Sequence, residues 1–120
     1  MILSGSAVAA ANDVTLGANG LPLGQLGFFM TSSASGLVLM PGASAGTLCL
    51  SGSIGRYNSL AQVRNSGAAG AFSLRIALGS TPTPLGPVAV LAGQTRHFQA
   101  WYRDAPGRSN FSDAVRLTFQ

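Results

Sequence analysis

The stretch Gln94-Thr95-Arg96-His97-Phe98-Gln99-Ala100-Trp101-Tyr102-Arg103-Asp104 runs through Ala105-Pro106-Gly107-Arg108-Ser109-Asn110 into Phe111-Ser112-Asp113-Ala114-Val115-Arg116-Leu117-Thr118-Phe119. Its first part alternates: Phe98, Ala100 and Tyr102 share one side, and His97, Gln99, Trp101 and Arg103 the other. Its last part sets Val115, Leu117 and Phe119 against Ala114, Arg116 and Thr118. Side chains on a strand repeat every two residues, so each part is a strand with an apolar face. Pro106-Gly107 marks the reversal between them. The pattern predicts a long β-hairpin.

Outward from the hairpin, the same period recurs. Val14, Leu16 and Ala18 share a face, as do Phe72, Leu74, Ile76 and Leu78. Leu26 to Thr31, with Phe28, Phe29 and Met30, reads as a strand buried on both faces. Shorter strands are expected at Leu37–Met40, Thr47–Leu50, Ile54–Tyr57 and Val88–Leu91, and weakly at Leu60–Arg64. Ser32–Gly36 and Pro41–Gly46 read as loops. Pro82, Pro84 and Pro87 fall in another loop and would block a sheet edge, since proline supplies no N–H. No window holds an uninterrupted helical period. Eight or nine short strands with turns about every ten residues indicate an antiparallel β-sandwich, immunoglobulin-like or jelly-roll, with almost no helix. Phe72, Leu74, Ile76, Phe98, Tyr102, Val115, Leu117 and Phe119 are its expected core. Residues 1–12 form an arm or edge strand, and residues 13–120 a single domain.

The composition narrows the function classes. Seven Arg and three Asp, with no Lys or Glu, make 8% charge over 120 residues. Mean hydropathy is +0.35 and the pI about 10.7. Soluble monomers carry more charge than this. Part of the surface is therefore expected to be covered, by copies of the chain or by a parent polypeptide. The apolar segment Ile2–Ala11, with Ile2, Leu3 and Val8, is the expected contact, adding to a neighbour's sheet. The Arg residues form no run, which argues against nucleic acid as a partner. No apolar run reaches the length of a membrane span. One Cys, Cys49, excludes an internal disulfide and is expected to be a small buried side chain.

Candidate chemistry is sparse. Gly42-Ala43-Ser44-Ala45-Gly46 matches G-x-S-x-G, but a nucleophile elbow needs a strand before it and a helix after it. His97 is the sole His. The chain is expected not to be an enzyme and to need no cofactor. Asp104, Asn110 and Asp113 flank the hairpin tip and could offer oxygen ligands to calcium, although Asp and Asn are also ordinary turn residues. Tyr57, Trp101 and Tyr102 could stack on a glycan, or lie in the core or an interface. Asn110-Phe111-Ser112 is an N-glycosylation sequon.

Phe98-Gln99, Trp101-Tyr102-Arg103-Asp104 and Ser109-Asn110-Phe111-Ser112-Asp113-Ala114 resemble the closing hairpin of a family of uncharacterised β-rich modules. These modules end large secreted proteins of planctomycetes, myxobacteria and related bacteria. Leu21-Pro22, Gly24-Gln25, Gly27-Phe28-Phe29 and Leu48-Cys49, Gly52, Ile54, Arg56 are similar to its earlier motifs. Arg96-His97 stands where that pattern often has Trp-Asn. The hairpin resembles more loosely the last strands of fibronectin type III and other immunoglobulin-like sandwiches. The resemblance implies an extracellular or cell-surface accessory module without activity. The expected function is structural and self-associating, as an oligomer or filament; the alternative is carbohydrate or surface adhesion.

Overall fold

A computed structural model of the chain describes residues 1–39 and 41–120. Its strands, in chain order, are β1 (Ile2–Gly5), β2 (Val14–Ala18), β3 (Leu26–Ser32), β4 (Ala34–Leu39), β5 (Thr47–Ser51), β6 (Gly55–Tyr57), β7 (Arg64–Asn65), β8 (Phe72–Ile76), β9 (Thr95–Ala105) and β10 (Arg108–Thr118). Among the described residues, helix is limited to three-residue 3-10 turns. The chain is an all-β antiparallel sandwich, as its alternation predicts.

One sheet runs β1-β2-β8 and the other β10-β9-β3-β6, with the short β7 also on β3. In the first, Val14, Leu16 and Ala18 lie opposite Ile76, Leu74 and Phe72. One period-2 face from each strand thus meets the core. The second sheet contributes Phe29, Tyr57, Phe98 and Ala100, and Phe119 joins them just after β10. Tyr102, Val115 and Leu117 pack at the border of that core, half-buried. Phe72 meets Phe29 edge-on, with ring centroids 5.2 Å apart. Gly27 lets the sheets come this close: a Cβ there would stand 2.7 Å from the Phe72 ring and 2.6 Å from the Trp101 carbonyl.

A third layer was not legible in the sequence. Among the described residues β4 and β5 pair only with each other, and they pack on the second sheet, against β9, β10 and β3. The two-sided burial of β3 and β9 follows from this: the sandwich covers one face and the chain's own β4–β5 hairpin the other.

Several expected elements shift. β4 begins at Ala34, inside the expected turn, because Ala34 and Ser35 pair with Ser51 and Leu50. Ser33 alone separates β3 from β4, and Ser32 Oγ donates to the Ala34 carbonyl at 2.6 Å to hold that corner. Met40 lies outside the described residues. Val88–Leu91 is not a strand; a single bridge joins Thr81 to Val88 beside Pro87, which has no N–H to extend it. Leu60–Gln62 is a turn, and only Arg64–Asn65 pairs. The N-terminal segment pairs within its own chain, with β1 on β2 from Ile2↔Gly17 to Gly5↔Val14. Ala9 N–H donates to the Gln120 carbonyl, and Gln120 N–H to that of Ala7, tying the two termini together. Strand donation by this segment would first have to break those bonds.

Candidate interaction surface

The outer face of the second sheet alternates with its core face. It presents Phe28 and Met30 on β3, His97, Gln99 and Trp101 on β9, and Phe111 on β10, with Phe28↔Trp101↔Phe111 in register across three strands. Gln99 fastens the hairpin to this face. It is fully buried. Its Oε1 accepts from Cys49 N–H at 2.9 Å, and its Nε2 donates to the carbonyls of Thr47 at 2.8 Å and Ser112 at 2.7 Å. The Ser112 carbonyl is available because β10 has an irregularity between Phe111 and Ala114. There Ser112 Oγ accepts the Ala100 N–H at 2.9 Å, a side chain standing in for a ladder carbonyl. Leu50 and Met30 are buried in this outer layer, outside the main core.

Beside the hairpin lies a cleft of about 390 Å³, bordered by Phe28, Met30, Leu48, Trp101, Phe111 and Arg56. Phe28 stacks on Trp101, with ring centroids 5.0 Å apart and planes 27° from parallel. One face of the indole is therefore occupied by Phe28, and Trp101 borders the cleft together with Phe28 and Phe111. Trp101 is half-exposed. Tyr57 does not join it. Tyr57 is buried on the core face of β6, and burial pushes its phenol well above the usual tyrosine range. The alternation of Gly55 and Tyr57 sends it inward, which corrects its expected surface role.

The calcium ligands do not converge. Asn110 lies opposite Tyr102, and Asp113 sits in the β10 irregularity, level with Ala100. Asp104 is thus four residues along the ladder from Asp113, roughly 13 Å at ~3.3 Å per residue, too far for one ion. Asn110 Oδ1 accepts from Phe111 N–H at 2.8 Å, and the exposed Asp113 from the Met1 amino group at 2.5 Å. Among the described residues no group of three His, Cys, Asp or Glu could hold a metal.

Ser44 and His97 are apart as well. Ser44 is buried, and its Oγ accepts from Ser109 Oγ at 2.9 Å. Ser109 faces Arg103, while His97 faces Arg116 six residues further along. That is roughly 20 Å at ~3.3 Å per residue, so the two form no dyad. Burial and then Arg116 and Arg96 hold the His97 imidazole below its ordinary pKa. The unfolded chain therefore takes up this proton first, and stability falls as pH drops through about 6.5. The urea midpoint is expected to be slightly lower at about pH 5 than at pH 7.5, and His97→Gln to remove that component. Cys49 is half-buried, not buried.

The remaining feature is β4 itself. Residues 14–55 carry no charged side chain. Within that run β4 has one partner, β5, and leaves its other edge unpaired among the described residues. Leu37 is 73% exposed and Leu39 71%, with Val38 also exposed. Natural edges are usually protected by charge, proline or a bulge; β4 has only a register shift between Ser35 and Val38. The alternation of the sequence did not single out this edge; the uncharged run around it was the available signal. No helix of the described residues is long and apolar enough to cross a membrane. Compared with known proteins, the chain matches no family model, no curated protein and no solved structure.

Proposed function

We propose that the chain is a non-catalytic structural module that associates with copies of itself through the free edge of β4. The observation that carries this reading is the uncharged, apolar outer edge with Leu37 and Leu39 exposed. A second copy is the fitting occupant. Two β4 strands can pair antiparallel about a two-fold axis, and no like charges meet when they do. The β1 edge, with Ile2 exposed, Leu3 and Val8 nearby and its strand paired on β2 alone among the described residues, offers a second self-pairing site. Two different two-fold contacts on one subunit propagate a filament; one alone gives a dimer. The extracellular placement rests on the resemblance of the closing hairpin.

Sedimentation velocity tests the reading. The intact chain is expected to associate in the micromolar range. Leu37→Lys with Leu39→Lys, both at exposed positions, is expected to weaken association at least about tenfold by placing like charges across the pair. Monomer at all concentrations, or equal association of the variant, contradicts it.

The aromatic cleft favours a second reading, adhesion to a carbohydrate or surface. Trp101 and Phe111 offer apolar ring surface there, with Arg56 beside them. A glycan array decides: specific binding lost in Trp101→Ala supports adhesion, and no binding removes it.

A further inference from the structure

Among the described residues, Arg56 is the sole charged side chain bordering the cleft beside the hairpin. It is the first charge after the uncharged run of residues 14–55. It is exposed on β6, level with Met30 on β3. The one ion pair of the described residues joins the Met1 amino group to Asp113, so no carboxylate answers Arg56. Arg64 and Arg75 donate to backbone carbonyls and Arg96 to Thr31; Arg56 makes no such bond among the described residues.

The rest of the cleft is apolar or already satisfied. Phe28, Trp101 and Phe111 lie side by side on three strands, and Met30 and Ile54 carry that surface on to Arg56. Leu48 borders it from the β4–β5 hairpin. Its two hydroxyls, on Ser44 and Ser109, bond each other. Gln99, two residues from Trp101 on the same face, spends both ends of its amide on backbone groups. A sugar needs several partners for its hydroxyls, and these side chains offer few. What they offer is apolar ring and chain surface with one free cation at its border. Ligand sites are commonly built this way, mostly apolar with a few placed polar groups, in clefts of roughly 300–1,000 Å³. This cleft, at about 390 Å³, has room for a small molecule.

We infer that the cleft binds a small organic acid with an apolar body. The aryl or alkyl body lies against Phe28, Trp101 and Phe111, and the carboxylate meets the Arg56 guanidinium, whose planar fork of N–H donors matches a carboxylate. The site does not depend on assembly through β4. It uses the cleft of the adhesion reading but calls for a ligand with few hydroxyls and one negative charge.

Trp101 is the sole tryptophan, so its fluorescence reports on this cleft alone. The test titrates the intact chain with 3-phenylpropionate, octanoate, the neutral 3-phenylpropionamide and glucuronate. A saturable change is expected with phenylpropionate or octanoate at about millimolar concentration or below. Whichever of the two saturates lower identifies the body as aryl or alkyl. The amide is expected to bind at least about tenfold more weakly, because it loses the charge-assisted bond. Arg56→Gln, at an exposed position, is expected to weaken the acid by a similar factor and to leave the amide unchanged. No saturation with either acid overturns the proposal. Equal binding of acid and amide, or an unchanged acid in Arg56→Gln, overturns the role of Arg56 and with it the proposal. Glucuronate binding as tightly as phenylpropionate overturns the apolar body in favour of an acidic glycan. Neutral glycans bound on an array by a chain that ignores both acids would overturn it too, while upholding adhesion.

Discussion

Replacing Gln99 with leucine is expected to release the β4–β5 hairpin from the sandwich and to lower stability by about 3 kcal/mol. Leucine fills a similar volume but offers no polar atom. Three backbone groups then lose their partner at once: Cys49 N–H and the Thr47 and Ser112 carbonyls. A buried polar group left unpaired costs roughly 1–3 kcal/mol. The total is capped because the hairpin can lift and let water in. Leu50 and Met30 would then lose their cover. Urea unfolding gives the loss. Amide exchange distinguishes its form: β4 and β5 exchange early in the variant while β2 and β8 keep their protection. If all strands lose protection together, the hairpin is not a separate layer.

Gly55→Ala is expected to be comparably damaging, at about 3 kcal/mol, by a steric route. The added Cβ would coincide with the Pro82 carbonyl, and the obstacle is backbone, which cannot swing aside. Either β6 leaves its pairing with β3 or the segment around Pro82 moves off the end of the sandwich. The second outcome uncovers Tyr57 and Arg96. Thermal unfolding gives the loss, and a fall in the Tyr57 phenol pKa toward the ordinary tyrosine value identifies the displaced segment. A variant as stable as the parent chain would mean that this contact is loose. The prolines here matter as much for the path that brings the Pro82 backbone over Gly55 as for any missing N–H.

How much of this was legible in the sequence depended on which physical signal each part carries. Period-2 alternation exposed β2, β8, β9 and β10, because their inner faces meet one deep core. Phe72, Leu74, Ile76, Phe98 and Phe119 are buried as that alternation implies. It could not reveal the third layer. Gln99 reads as an outward polar residue on its strand, and only the hairpin from fifty residues earlier turns that face inward. Tyr57 was misplaced for a related reason. β6 is three residues long, too short for its alternation to state which side is in. Asp104, Asn110 and Asp113 looked like a cluster because they are close in sequence. The long ladder carries Asp104 and Asp113 apart. The unprotected edge of β4 left no periodic trace at all; it shows as missing charge over residues 14–55.

The most direct test of assembly through β4 is amide hydrogen exchange of the intact chain from low-micromolar to sub-millimolar concentration. Strand pairing at that edge gives new acceptors to the β4 N–H groups that point away from β5. Those amides are expected to gain protection with concentration, while β2, β3 and β8 stay constant, and the gain is expected to vanish in Leu37→Lys with Leu39→Lys. Protection of β4 that does not change with concentration, or a gain confined to other strands, would contradict the account.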